Sequence, residues 1–237
     1  MVSLRFRNGV TIPFSYVAWY LPVSYMSTPQ KQIPVASPFE PETKCDESAC
    51  ARDRIFEAAK KLFYKSGIRG VSVDAIAAEA NTTKVTLYRV FSSKDELIVK
   101  VLEEQAQRWD RWWNETVARH PGKPRKQIEA LFDSFRDELT SEAADRGCTM
   151  ANAAVELEED HPAKQVIRNH KLELGKRMRA LCREMGAKHP DQLGDSLMLL
   201  FRGAFSARLV HEGREQIAVV AIAAKALLDS ASLGTDA

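Results

Sequence analysis

No stretch of this chain reaches the ~20 uninterrupted apolar residues that a membrane-spanning helix needs. The most apolar run near the start, Val10 to Val23, follows Arg5 and Arg7 but is interrupted by Pro13 and Pro22. It also lacks a small-residue cleavage pattern, which argues against a signal peptide. Cysteine is scarce. Cys45, Cys50, Cys148 and Cys182 show neither metal-ligand spacing nor a disulfide framework, so reduced thiols in a cytoplasmic protein are expected. No charge of one sign dominates: the net charge is +2, and residues 44–100 hold 11 Lys/Arg against 8 Asp/Glu. A nucleic-acid partner would therefore be held by a few placed cations, not by a basic field. Internal repeats and low-complexity segments are absent, and no segment calls for a β-strand.

What is present is helical periodicity over most of 237 residues, enough for one large or two small domains. The most informative stretch runs from Ser72 to Phe91, SVDAIAAEANTTKVTLYRVF. Val73, Ile76, Ala77 and Ala80 fall on one stripe, and Ser72 is placed to cap the exposed N–H groups of a short helix. Asn81 suits a left-handed turn, and Thr83 can cap a second helix from Lys84 to about Val90. Val85 and Leu87 can face inward in that helix, leaving Lys84, Thr86, Tyr88 and Arg89 outside. Two short helices at a tight turn, the second carrying polar and cationic side chains, read as a helix-turn-helix.

These residues also carry a family resemblance. Gly67, Ser72-Val73, Ile76-Ala77, Thr83-Lys84, Thr86-Leu87-Tyr88, Phe91, Ser93-Lys94 and Leu97 agree with the spaced pattern of the tetracycline-repressor (TetR) family. The stretch from about residue 48 to 100 resembles that family's DNA-binding domain. Four positions depart from the pattern. Asn81 and Val85 stand where Gly is common, Val90 where His or Tyr is common, and Asp74 where a basic residue is frequent. Val90 and Asp74 each remove a possible phosphate contact.

Elsewhere the pattern is simpler. Within the N-terminal arm, residues 1–47, Met26 is the expected true start with residues 1–25 a translated leader, and residues 26 to about 47, with Pro29, Pro34, Pro38 and Pro41, are expected to be disordered. Helix one should span Ser48 to Lys65, burying Ile55, Ala59, Leu62 and Phe63. Phe91 and Leu97 should close the three-helix core. A long helix from Lys94 to about His120, capped by Ser93, carries Leu97, Val101, Leu102, Trp109, Trp112 and Trp113. Further helices are expected from Arg125 to Thr140, Cys148 to Glu158, Pro162 to Ala187, Asp191 to Val210 and Glu215 to Ser230, with breaks at Arg146-Gly147 and Gly213. Gly194, Gly203 and Ala207 would let backbones approach closely. In the last helix Ala218, Val219, Ile222, Ala223, Ala226 and Leu227 make an apolar face that one subunit has little to cover, so pairing across a two-fold axis is expected. The family resemblance implies the same dimer.

The expected fold is all-α: an N-terminal three-helix helix-turn-helix domain, residues 48–93, and a C-terminal helical ligand-binding and dimerisation domain, residues 94–237. Thr86 and Lys84 are candidates for base-edge contacts, Tyr88, Lys94, Ser72 and Thr83 for phosphates, and Arg89 for either. Candidates for binding an unknown small-molecule effector are Trp109, Trp113, Phe132, Phe135, Asn152, Glu156, His170 and Phe201. The acidic run Glu156, Glu158, Glu159, Asp160 before His161 matches no metal-ligand motif and reads as a solvated helix end. No cofactor is implied. The expected function is a dimeric, ligand-responsive regulator, acting most often as a repressor on a palindromic double-stranded DNA operator. The alternatives are a helical sensor or adaptor without specific DNA binding, and an enzyme. The enzyme reading is weak because no nucleophile and base share a recognisable spacing. Tyr88→Ala and Lys94→Ala should weaken operator binding in a gel shift while dimerisation persists; loss of folding in both would contradict surface roles.

Overall fold

The structure is a computed structural model that describes residues 3–5, 11–13, 47–140, 147–207, 217 and 219–231. The chain forms two compact units, residues 1–43 and 44–237. In the first, β1 (Ser3–Arg5) pairs antiparallel with β2 (Thr11–Pro13), Leu4 lying opposite Ile12. This corrects the expectation that no strand would occur. The missed signal is Asn8-Gly9 in the intervening sequence, a pair favoured between paired strands. The remaining residues of the expected arm, including Cys45 and Met26, lie outside the described residues.

Among its described residues the second unit holds the helices α1 (Glu47–Ser66), α2 (Val73–Glu79), α3 (Lys84–Val90), α4 (Lys94–Val117), α5 (Pro124–Thr140), α6 (Thr149–Glu156), α7 (Ala163–Glu184), α8 (Pro190–Ala207) and α9 (Val220–Ser230), joined by turns. Where both fall on described residues, expected and observed ends agree within three residues; the expected end of α8 at Val210 and the expected start of α9 at Glu215 lie outside the described residues. Arg146, Leu209, Gly213 and Ala218 lie outside the described residues. Gly67 (φ +76°) and Asn81 (φ 48°) make the left-handed turns after α1 and between α2 and α3, as a sharp reversal requires.

Two apolar cores form. The first gathers Ile55, Ala59, Phe63, Ile76, Leu87, Phe91, Leu97 and Val101 with Met150 and Ala153 of α6, Leu157 just after it and Ile167 of α7. The second gathers Trp113, Ile128, Leu131, Phe132, Phe135 and Leu139 with apolar residues of α7, α8 and α9. Helix α4 passes through both, contributing Leu102 to the first and Trp113 to the second. Gly194 is a true close approach: a Cβ there would lie 2.6 Å from Arg179 Cγ and 2.9 Å from its Cα. Gly203 meets nothing within 4 Å and faces outward, so no neighbour within this chain approaches it closely. The reason is rotational: Ala204, its neighbour, takes the buried position.

The thiol expectation also needs correction. Cys50, in the first turn of α1, is disulfide-bonded. Pairing depends on which sulfurs the fold brings together, which spacing alone does not report. Cys148 and Cys182 are free; burial raises both thiols, that of Cys182 to about 11. Because Asn81 occupies a left-handed conformation, Asn81→Gly should keep or raise stability, and Asn81→Val should lower it by about 1–2 kcal/mol. Denaturant unfolding of the two variants checks this.

Candidate nucleic-acid interface

Helix α3 is seven residues long, too short to persist alone, and three contacts hold it. Thr83 Oγ1 accepts from Thr86 N–H at 3.1 Å, capping the N-terminus. Leu87 is fully buried against the first core. At the far end Arg52 Nη1 donates to Val90 O at 2.7 Å, and its guanidinium lies 4.4 Å from the Phe91 ring centre. Arg54 donates likewise to Ala80 O at 3.2 Å, closing the end of α2. Ser72 caps the start of α2, accepting from Ala75 N–H at 3.1 Å.

With Leu87 inward, the rest of α3 turns outward. Tyr88 and Arg89 are exposed, and so is Lys84. Val85 is 80% exposed, which overturns the expectation that it faces inward. Two residues on a helix span about 200°, so Val85 and Leu87 cannot share a buried face on so narrow a support. Thr86 is half-buried, its Oγ1 3.1 Å from Thr83 Oγ1, so the hydroxyl is already engaged. Lys84 Nζ lies 3.2 Å from Asp74 Oδ2, an exposed pair worth little by itself. Asp74 therefore meets the very cation expected to reach DNA. Lys94 turns in, not out: Nζ donates to Ile68 O at 2.7 Å and sits 6.0 Å from the Phe63 ring centre. Burial pushes its pKa down, with Asp95 and Glu156 opposing. Substituting Lys94 would thus loosen the loop before α2.

The effector candidates divide between the two cores. Trp109, Trp113, Phe132, Phe135 and Phe201 belong to the aromatic cluster of the second, with Trp112 and Phe205, which the candidate set omitted. Phe135 and Phe201 stack with centroids 3.7 Å apart at 16°, and Trp109 meets Phe201 and Phe205 edge-on at 5.8 Å each. This aromatic face is packed as core. Trp112 Nε1 donates to the buried Ser134 hydroxyl at 3.0 Å. His170 stands at the edge of the cluster, 6.4 Å from Trp109.

Asn152 and Glu156 lie elsewhere, lining a niche with Phe63, Tyr64, Gly67, Ile68, Thr149 and Ala153. Glu156 Oε2 accepts from Arg69 N–H at 2.9 Å, and Arg69 pairs with Glu158. A Cβ on Gly67 would lie 2.8 Å from Glu156 Oε1, so glycine leaves room for this carboxylate. Farther along the acidic run, Glu159 pairs with Lys164 and Arg168 at 3.1 and 2.9 Å, and His161 Nε2 lies 3.4 Å from an Asp95 carboxylate oxygen. The corner between α6 and α7 therefore grips the loop before α2 and the start of α4.

A short outward helix pinned by one leucine across a second helix defines a helix-turn-helix head, here joined to a helical bundle. Residues 55–101 match the family model described as "Bacterial regulatory proteins, tetR family". The repressor KstR of Rhodococcus jostii is 32% identical over 119 residues, 49% of this chain and 56% of that protein. The repressor DhaR of a Mycobacterium species is 24% identical over 70% of this chain and 86% of that protein. A crystal structure of SCO4454, a TetR-family transcriptional regulator from Streptomyces coelicolor, superposes with a TM-score of 0.73 at 28% identity, covering 78% of this chain and 97% of that one. The chain is thus similar to TetR-family regulators in its helix-turn-helix segment and in its helical fold. It spans about half the length of the first curated relatives it matches. Among the described residues no helix is long and apolar enough to cross a membrane.

Burial holds the His170 imidazole below its ordinary 6.5; Asp110 opposes this, and Arg177 and Lys171 add to it. With the folded value depressed, the unfolded chain takes up the proton first as pH falls, so this group costs stability below about 6.5. His170→Gln should therefore lessen the fall in Tm between pH 7 and pH 5, measured by tryptophan fluorescence.

Proposed function

We propose that this protein is a dimeric, effector-responsive transcription regulator that binds a palindromic operator through α3, acting as a repressor. The carrying observation is the geometry of α3: Leu87 buried, with Lys84, Val85, Tyr88 and Arg89 outward. Its N-terminal residues suit base edges in a major groove, as in other helix-turn-helix proteins. Tyr88, Arg89 and the capping Ser72 and Thr83 would meet phosphates or neighbouring edges; Lys84 reaches DNA by exchanging Asp74 for a phosphate. Residues 48–93 act as the reading head and residues 94–237 as the sensing and dimerising part.

Dimerisation is supported by the outward faces of α8 and α9. Leu199 is 68% exposed and Ile222 67%, with Val219 also exposed and Gly203 open beside them. Two copies of this face would make a four-helix bundle in which Gly203 admits a close partner backbone. Coupling is supported by the contacts of α6. An effector that favours one position of α4 and α6 would move the loop at Gly67–Arg69 through Glu156, and with it α2 and α3. The shift is limited by the effector's differential affinity for the two arrangements.

A second reading, a sensor without specific DNA binding, draws on the Lys84–Asp74 pair. A gel shift on DNA from the gene's own upstream region separates the two. The dimeric regulator gives a discrete, salt-sensitive complex, and Ile222→Asp gives single chains in light scattering with operator affinity reduced by roughly a hundredfold or more. No retained DNA at low salt, or a fully active single-chain Ile222→Asp, would contradict the proposal.

A further inference from the structure

The outward face of α3 is not uniformly polar. Val85 is its second residue and exposes 80% of its surface. Within α1 to α3 it is the one large aliphatic side chain so exposed among the described residues. With the helix pinned by Leu87, position 85 points away from the head, so whatever residue stands there is presented outward. The neighbouring Thr86, which could also offer a methyl group, is half-buried with its hydroxyl against Thr83.

A single valine beside Tyr88 is far too small an apolar patch for a protein partner, which needs several hundred Å² per side. It is flanked on the same helix by the cations Lys84 and Arg89, which favour a polyanion at this face. The major groove presents one apolar feature at its base edges, the C5-methyl group of thymine. Resting on the reading of α3 as the DNA-reading helix, we infer that Val85 is a specificity-determining residue that packs on a thymine C5-methyl in each operator half-site. Burying that methyl against the valine γ-carbons selects T·A at one position without any hydrogen bond.

The test uses the full chain. Random duplexes retained by the protein are sequenced, and in the enriched site each thymine is replaced in turn by deoxyuridine, which removes the methyl and leaves the pairing intact. One thymine per half-site should be methyl-dependent, its loss weakening binding about fourfold, and roughly fifteenfold when both half-sites are changed. In Val85→Ala, an exposed helical position where alanine is tolerated, the thymine-to-deoxyuridine ratio should fall to near one while the melting temperature is kept. An enriched site with no methyl-dependent thymine overturns the inference, as does a ratio unchanged in Val85→Ala. A second series replaces each cytosine by 5-methylcytosine; if only methylated cytosine gains affinity through Val85, thymine is not the base read. Failure to enrich any sequence would instead fell the DNA-binding reading on which the inference rests.

Discussion

The head of this protein depends on one buried side chain. Leu87 is the inward residue of a two-turn helix that has no other deep anchor. Full burial of a leucine is worth about 1.5–3 kcal/mol, more than the intrinsic stability of seven residues can supply. The remaining contacts act at the ends: Thr83 on the free N–H groups, Arg52 on the Val90 carbonyl. Support from beneath and at both ends leaves the outer face clear. The chemistry of the face then follows from rotation about the axis through Leu87, which sets Val85 and Tyr88 out beside the two cations.

The same economy governs how the head is joined to the rest. Helix α4 lends its first half to one core and its second half to the other, so the two cores share a rigid rod. Helix α6 completes the first core with Met150 and Ala153, while Glu156 reaches the backbone of Arg69. Lys94 and Asp95, at the start of α4, meet Ile68 O and His161. The loop before α2 is thus held by groups from two helices, α4 and α6, that extend into the bundle. Any rearrangement of the bundle that shifts α4 or α6 has a short polar path to the loop before α2, and through it to α3.

Much of this was legible in the residues. Caps at Ser72, Thr83 and Ser93, the turn at Asn81 and the apolar face of α5 follow from local rules that tertiary structure did not override. Val85 was misjudged because hydrophobicity says that a side chain prefers burial, not whether a neighbour exists to bury it. Lys94, a phosphate candidate from its place at the start of α4, and Glu156, an effector candidate as a polar residue on an apolar helix, instead meet the Ile68 carbonyl and the Arg69 amide, backbone groups 26 and 87 residues away. Sequence spacing carries no trace of such pairs. The aromatic stripe of α4 was correctly placed at helical spacing, but only packing reveals that Phe201 fills the space against Phe135. The strands and the disulfide of Cys50 were missed for a related reason, since both are relations between segments.

The central claim is that two copies of α3 are presented outward to one duplex. Hydroxyl-radical footprinting of the full chain on its enriched DNA tests it most directly. The account predicts two protected patches on one face of the helix, centred 10–10.5 base pairs or a multiple apart and related by two-fold symmetry. A single patch without a symmetric partner, or protection spread evenly along the duplex, would contradict it.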